Sequence, residues 1–236
     1  MKYTIDLRPY PGARYFTVDG HRKAYDKLSK KPAIGLESIK NSLRRLFVVP
    51  ANFAIGFFDF IYSDLLLQHR HVLDISYLFP QGRYNFSEAE AVMLRPHASM
   101  GVPVGFFILF YDPKNWANLP VLTIAKDDEF YLLQMVMDDY EQKGVDMLVR
   151  ETNYKAAVLY QMIAQSPLLN GISEKETPPK TIVAARCSLE TADKLRSMGY
   201  IFGEKPEGDE VVISFANFPT HSKEMIEMLA DRVASL

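Results

Sequence analysis

The stretch 97–112 limits what this chain can fold into more than any other part of the sequence. Gly101 and Gly105 stand four residues apart with Pro103 between them, and a nearly pure apolar run follows at 106–111. An apolar run bounded by turn residues is typical of a strand that is buried on both faces of its sheet. The glycines let the preceding backbone turn at φ values that a Cβ atom would penalise. The stretch therefore predicts a tight turn that leads into a buried strand.

Length and composition indicate a globular protein and exclude several function classes. The 236 residues suffice for one large domain, or for a domain with a small appendage. The net charge of −2, without a basic stripe, predicts neither a nucleic-acid partner nor a polybasic membrane segment. Because Cys187 is the one cysteine, no internal disulfide framework can form, which is typical of a reducing compartment. The first residues of the sequence lack the apolar region of a signal peptide, and no apolar run approaches the ~20 residues of a membrane span. We therefore expect a cytoplasmic protein without membrane contact.

Hydrophobic periodicity predicts an α/β chain. A helix is indicated over 34–47, where apolar residues recur at helical spacing and Pro50 follows. A helical pattern also fills 127–165 with a break near Gly144, and Ser188 is expected to cap a later helix. Short apolar runs predict strands, which alternate with helices in the tail. The predicted strands cover 54–61, 71–76, 90–96, 105–111, 181–186 and 211–215, and the tail helices cover 188–198 and 221–236.

Four short motifs carry a resemblance to a known family. Residues 150–160 read Arg-Glu-Thr-Asn-Tyr-Lys-Ala-Ala-Val-Leu-Tyr, and residues 217–221 read Asn-Phe-Pro-Thr-His. Residues 100–105 read Met-Gly-Val-Pro-Val-Gly, and residues 49–53 read Val-Pro-Ala-Asn-Phe. All four resemble segments of the class V aminotransferases, the pyridoxal-phosphate (PLP) enzymes that include phosphoserine transaminase. The segment at 150–160 is the most specific of them, and the one at 100–105 is similar to the end of the loop that carries the Schiff-base lysine.

The resemblance implies an α/β protein with a reduced PLP-transferase fold of type I. The large-domain sheet of that fold runs a-g-f-e-d-b-c with strand g antiparallel, and the first four predicted strands here resemble a, e, f and g in chain order. Strands b, c and d form one edge of the family's sheet, so their removal leaves a connected mixed sheet of about four strands in the order a-g-f-e. We expect residues 1–125 to be the remnant of the large domain, 126–165 to be connecting helices, and 166–236 to be a C-terminal small α/β domain.

Three positions lack the residue that the family's chemistry requires. The position of the Schiff-base lysine is Ala98, which has no amine. The phosphate-binding loop of the family carries small glycine-type residues, whereas residues 62–67 read Tyr-Ser-Asp-Leu-Leu-Leu and would place Asp64 beside a dianion. Ser214 stands where the family carries the arginine that binds the substrate carboxylate. The resemblance therefore implies no catalytic residue, and it favours a non-catalytic protein over an enzyme.

Asp74 is the one cofactor contact that the sequence retains. It ends a predicted strand similar to the one whose aspartate pairs with the pyridine nitrogen of PLP, and the alternative is a carboxylate that merely caps a strand end. PLP chemistry needs an amine, a phosphate site and a charge partner for the ring, and only the last is retained. We therefore expect no cofactor, with PLP at Asp74 as the alternative.

Three other groups are weaker candidates. His69 and His71 stand two residues apart without accompanying Cys or carboxylate ligands, so an exposed turn is the favoured interpretation and no metal is expected. His97 precedes the lysine position and is either a new base or a filler of the emptied pocket, the second being favoured. Cys187 follows apolar residues and is interpreted as buried rather than nucleophilic.

Two functions remain open. The favoured one is a non-catalytic aminotransferase-like protein that acts by binding, as a homodimer or with another protein, and whose small-molecule ligand is unknown. The alternative is a residual PLP-dependent enzyme that acts on an amino acid or a phosphorylated acid. Because an unpaired strand edge invites pairing, we also expect the edge at 71–76 to be covered by residues 62–70 or by a second subunit.

Overall fold

Two compact units make up the chain. A computed structural model describes residues 36–68, 71–80, 84, 86, 89–102, 104–116, 127–172, 178–201 and 203–236. Of the described residues, those from 36 to 149 belong to the N-terminal unit and those from 150 to 236 belong to the C-terminal unit. The three-part division that the sequence predicts, at residues 125 and 165, stays a prediction.

The N-terminal unit is built around a four-stranded mixed sheet. Its described elements are α1 (Leu36–Phe47), β1 (Ala54–Asp59), a 3-10 turn (Phe60–Tyr62), α2 (Ser63–Leu67), β2 (Val72–Asp74), β3 (Ala91–Leu94), α3 (Pro96–Ser99), β4 (Phe106–Tyr111) and α4 (Asp127–Lys143). The strand order is β1-β4-β3-β2, with β4 antiparallel to both neighbours and β2 parallel to β3. This is the order a-g-f-e with strand g antiparallel, so the predicted sheet is confirmed.

The strand β4 is the buried centre of this sheet, as its apolar run predicts. Phe106, Phe107 and Phe110 expose none of their surface, and burying a side chain of this kind contributes about 1.5–3 kcal/mol. Gly101 has a φ of 69°, which a glycine adopts without the penalty that a Cβ atom brings. The predicted turn and the predicted strand that follows it are therefore both confirmed.

The helix α1 is amphipathic and lies against the sheet and α4. Ile39, Leu43 and Phe47 are buried, and the ring of Phe47 lies 5.5 Å from that of the central-strand residue Phe110. On the exposed side, the guanidinium of Arg45 donates to the carboxylate of Glu141 in α4 through Nε at 3.0 Å and Nη2 at 2.7 Å. The predicted helix over 34–47 is confirmed from residue 36 onwards.

The C-terminal unit packs helices on an antiparallel sheet. Its described elements are α5 (Val145–Gln165), whose first five residues belong to the N-terminal unit, and then β5 (Asn170–Gly171), β6 (Ile182–Ser188), α6 (Leu189–Ser197), β7 (Gly203–Glu207), β8 (Glu210–Ala216) and α7 (Lys223–Ala234). The strand order is β5-β6-β8-β7. Ser188 caps α6, as predicted, by accepting a hydrogen bond from the backbone N–H of Thr191 at 3.2 Å. The polar strand β7 contains a proline, which an edge strand tolerates, and it escaped prediction because it has no apolar alternation.

Within the described ranges, no helix has both the length and the apolar character to cross a membrane. The cytoplasmic localisation stays a prediction. In the same residues, no group of three or more His, Cys, Asp or Glu side chains is placed to hold a metal ion.

Candidate functional site

The parallel pair of strands β2 and β3 brings Asp74 and Arg95 together. Asp74 is the last residue of β2, and Arg95 follows directly on β3, which ends at Leu94. Parallel strands end at the same edge of a sheet, and the crevice outside their carboxyl ends is where α/β sheets place ligands. This edge of the N-terminal unit is therefore the candidate site.

The carboxylate of Asp74 uses both of its oxygens within the protein. Oδ1 accepts hydrogen bonds from the backbone N–H of Ser76 at 2.9 Å and from its hydroxyl, and Oδ2 pairs with Nη2 of Arg95. The Ser76 hydroxyl oxygen also accepts from the backbone N–H of Arg95 at 2.8 Å. The Asp74 and Arg95 side chains expose 16% and 12% of their surface, so water screens this ion pair less than an exposed one.

An aromatic ring completes the surroundings of the Arg95 guanidinium. Its central carbon lies 5.1 Å from the centroid of the Tyr77 ring, within the range of a cation–π contact. The Nε atom of Arg95 is buried and has no hydrogen-bond partner among the described residues. The guanidinium therefore lies between a carboxylate and an aromatic ring, with one of its donors unused.

His97 lies near the same ion pair as a neutral imidazole. Its ring contacts the ring of Phe60 edge-on, with 4.6 Å between the centroids. Burial, and then the nearby charge of Arg95, lower the pKa of His97 from 6.5 to about 4, although Asp74 acts in the opposite direction. At pH 7 the side chain is uncharged, so it can accept a proton only when the site becomes strongly acidic.

The structure describes the two other positions of this unit at which the resemblance implies a loss. Ala98 is buried within the short helix α3, with 2% of its surface exposed, and supplies a methyl group instead of an amine. The segment after β1 forms the 3-10 turn and α2, which is only five residues long and has the exposed Asp64 in its first turn. No glycine occurs in it. The described residues around this edge thus offer neither a Schiff-base lysine at position 98 nor a glycine-type phosphate loop.

In the C-terminal unit, two of the recognised motifs contact each other through a buried lysine. Lys155 of α5 exposes none of its surface, and its Nζ donates to the carbonyl oxygens of Phe218 at 2.8 Å and His221 at 2.7 Å. Asn217 adds hydrogen bonds from its amide nitrogen to the carbonyl oxygens of Thr152 at 3.0 Å and Lys180 at 2.8 Å. The motifs at 150–160 and 217–221 therefore form one connection between helix and turn, a link that sequence reasoning did not make.

The charge of this lysine affects its histidine neighbour. Burial, and then the charge of Lys155, lower the pKa of His221 from 6.5 to about 3, opposed by a hydrogen bond with the backbone of Ala216. Ser214, for which the resemblance implies an arginine in the family, lies in β8 and donates its hydroxyl to the carbonyl oxygen of Gly203 at 3.1 Å. It has no charge with which to bind a carboxylate.

The remaining sequence candidates do not join either group. His69 lies outside the described residues, and His71 is exposed. Cys187 is 2% exposed, and burial raises the pKa of its thiol, in keeping with the interpretation as a buried apolar residue.

No protein-family model and no curated protein matches the sequence. Solved structures do match its fold. A phosphoserine aminotransferase from Cytophaga hutchinsonii matches with a TM-score of 0.72 and 13% identity over 96% of this chain and 97% of that one. The phosphoserine aminotransferase from Bacillus circulans subsp. alkalophilus gives a TM-score of 0.70 and 11% identity, over 93% and 95% of the two chains. PLP-bound phosphoserine aminotransferase from Trichomonas vaginalis gives 0.67 and 10%, over 92% and 96%. The suspected kinship is thus confirmed as a shared fold.

The expectation that the chain takes no cofactor is wrong in the light of these structures. The proteins that share its fold include enzymes with PLP bound or with a Schiff base formed, and the chain does retain a buried lysine, Lys155, as a candidate amine. The described residues fit PLP in part. Asp74 has the charge that a pyridine nitrogen requires, although Arg95 now pairs with it, and position 98 offers no amine.

Proposed function

We propose that this protein uses the fold it shares with phosphoserine aminotransferases to bind a ligand of the PLP type non-covalently, and that it does not catalyse transamination. The observation that carries the proposal is the buried methyl group of Ala98, which the resemblance places at the position of the Schiff-base lysine. Without an amine there, the ligand is held by charge and packing alone. The absence of an arginine at Ser214 removes the usual partner of a substrate carboxylate as well.

Asp74 is the residue proposed to hold such a ligand, through its ring nitrogen. PLP, when bound, supplies an electron sink for bonds at the α-carbon of an amino acid. The protein's own contribution here is a carboxylate at the end of β2, held in position by two donors from Ser76. The neutral imidazole of His97 lies nearby without a positive charge that would repel the ring nitrogen.

A second candidate function is a residual PLP-dependent enzyme that uses Lys155 as its amine. The observation that favours it is the complete burial of this lysine, which keeps its amine away from water. To react, Nζ has to give up its hydrogen bonds to the carbonyl oxygens of Phe218 and His221. Lys155 and Asp74 belong to different units of the chain.

Reduction with borohydride separates the two functions. The purified protein is titrated with PLP, and binding is followed by absorbance and by equilibrium dialysis. If the first proposal is correct, PLP binding is saturable and dialysis reverses it. After borohydride reduction, no peptide then carries covalently bound PLP in stoichiometric amount. A stoichiometric adduct on Lys155, together with turnover of an amino acid, supports the second function and refutes the first.

Variants locate the ligand in the same titration. Asp74→Asn removes the charge but keeps the shape, and we expect it to weaken PLP binding by about tenfold or more, the loss typical of one charge-assisted contact. Asp209→Asn changes an exposed carboxylate in the C-terminal unit and serves as the matched control. Equal affinities of the two variants would rule out Asp74 as the contact.

We propose in addition that the protein forms a homodimer, because β2 is an edge strand of its sheet and such an edge can pair with a second chain. Sedimentation equilibrium tests this, with a mass near twice the 27.0 kDa of the chain as the expected result. A single species of monomer mass at micromolar concentration contradicts it.

A further inference from the structure

We infer that the space between the carboxylate of Asp74 and the ring of Tyr77 is a binding site for planar, delocalised cations, and that Arg95 is an internal occupant which a ligand displaces. The inference deepens the proposed function and rests partly on it, because the protonated ring of a PLP-type ligand is one such cation. It assigns to Arg95 the control of access to Asp74.

The two walls of the site suit this class of cation. Arg95 reaches Oδ2 of Asp74 through Nη2, and its central carbon lies 5.1 Å from the Tyr77 centroid. A guanidinium is planar and weakly hydrated, stacks on aromatic faces and pairs with carboxylates. A pyridinium ring has the same planarity and delocalised charge, so the same carboxylate and aromatic face can hold it.

The present occupant is held by fewer contacts than another arginine of the same unit. Arg45 pairs with Glu141 through both Nε and Nη2, at 3.0 Å and 2.7 Å. Arg95 contacts Asp74 through Nη2, and its buried Nε has no partner among the described residues. Because the backbone N–H of Arg95 is anchored separately on the Ser76 hydroxyl at 2.8 Å, its side chain can leave without moving the strand end.

The site also has an open side. The residue Tyr77 exposes 37% of its surface, whereas Asp74 and Arg95 expose 16% and 12% of their side chains. A ligand can therefore approach along the tyrosine ring and reach the carboxylate as Arg95 swings aside. The competing explanation is an ion pair that only ties β2 to the turn after β3.

Chemical rescue tests the inference directly. In Arg95→Ala the guanidinium is removed and the carboxylate of Asp74 is left without its cation. We expect a lower unfolding temperature for this variant, and a recovery of about 3 °C when methylguanidinium or N-methylpyridinium chloride is present at several times its Kd. The reference is the same concentration of sodium chloride. The wild-type protein, with the site filled, is expected to gain less than a third of that shift.

Three controls define the result. Arg45→Ala removes the exposed arginine and leaves Arg95 in the site, so either cation should raise its unfolding temperature no more than that of the wild type. Asp74→Asn combined with Arg95→Ala should lose the rescue, because the carboxylate charge is gone. Tetramethylammonium, which is not planar, should rescue Arg95→Ala less than either planar cation. If Arg95→Ala does not fold, Arg95→Gln replaces it as a neutral side chain of similar reach, and the same rescue is expected.

Rescue of Arg95→Ala no larger than that of Arg45→Ala overturns the inference and leaves the ion pair as a structural tie. The outcome is separable from that of the proposed function. Rescue by the planar cations without PLP binding to any variant supports this inference and refutes the proposed function. PLP binding without rescue refutes this inference and supports the proposed function.

Discussion

Acidification should destabilise the C-terminal unit through His221. This side chain is 7% exposed, and its pKa is lowered from 6.5 to about 3 by burial and by the charge of Lys155. The unfolded chain therefore binds a proton at a pH where the folded protein does not. The stabilisation is complete above about pH 7 and is lost progressively as the pH falls from 6.5 towards 3.

The magnitude follows from the two pKa values. At pH 5, which is 1.5 units below the pKa of 6.5, the imidazole of His221 is protonated in the unfolded chain. In the folded protein, where its pKa is about 3, the same imidazole is still neutral. At 1.36 kcal/mol per unit, the free energy of unfolding falls by about 2 kcal/mol between pH 8 and pH 5 on account of this one residue. Other titrating groups add to the total change, so the contribution of His221 is obtained from a difference between variants.

The assay is urea denaturation followed by circular dichroism at pH 8 and pH 5. His221→Gln cannot titrate, so its loss of stability on acidification should be about 2 kcal/mol smaller than that of the wild-type protein. His71→Gln removes an exposed histidine and should behave as the wild type. An equal loss for His221→Gln and the wild type would refute the reasoning, since it would mean that His221 binds its proton equally well in both states.

Three further substitutions test individual features. Val48 has a φ of 51° and is 72% exposed, so Val48→Gly should raise the free energy of unfolding by about 1 kcal/mol. Urea denaturation measures this, and the control Val49→Gly should lower the same free energy. Lys155→Met removes two buried hydrogen bonds to the carbonyl oxygens of Phe218 and His221, so it should lower the free energy of unfolding by about 3 kcal/mol. Thermal unfolding measures this, and an unchanged Tm would contradict the link between the motifs. In Gly56→Ala the new Cβ would lie 2.4 Å from the ring of Phe58, so the free energy of unfolding should fall by about 1–3 kcal/mol. Calorimetry measures this, and a change within error would mean that the ring moves freely.

The sheet of the N-terminal unit could be predicted because its strands differ in apolar character. The run at 106–111 contains no polar side chain before its final tyrosine, which only a central strand accommodates, and it does lie between β1 and β3. The strand order itself came from the resemblance, since periodicity does not state which strands pair. The end of β2 was predicted less well, because three residues give too short a pattern to fix its bounds.

The contacts of the candidate site could not be predicted in the same way. Asp74 was singled out, but Arg95 was not, because its partner is 21 residues away and the pairing depends on the parallel register of β2 and β3. A signal was present in the sequence, since both charged residues directly end or follow short apolar runs. The role of Lys155 was missed for a similar reason, because its acceptors are 63 and 66 residues away and are backbone atoms, which no side-chain pattern reveals.

The position of β4 between its neighbours has a consequence for biosynthesis. Among the described strands β1 pairs with β4 alone, so residues 54–59 acquire a partner only after residues 106–111 have left the ribosome. Such non-local pairing slows folding and leaves apolar segments exposed in the meantime. A nascent chain that ends before residue 106 is therefore expected to depend on chaperones, whereas one that ends after residue 111 can close its sheet.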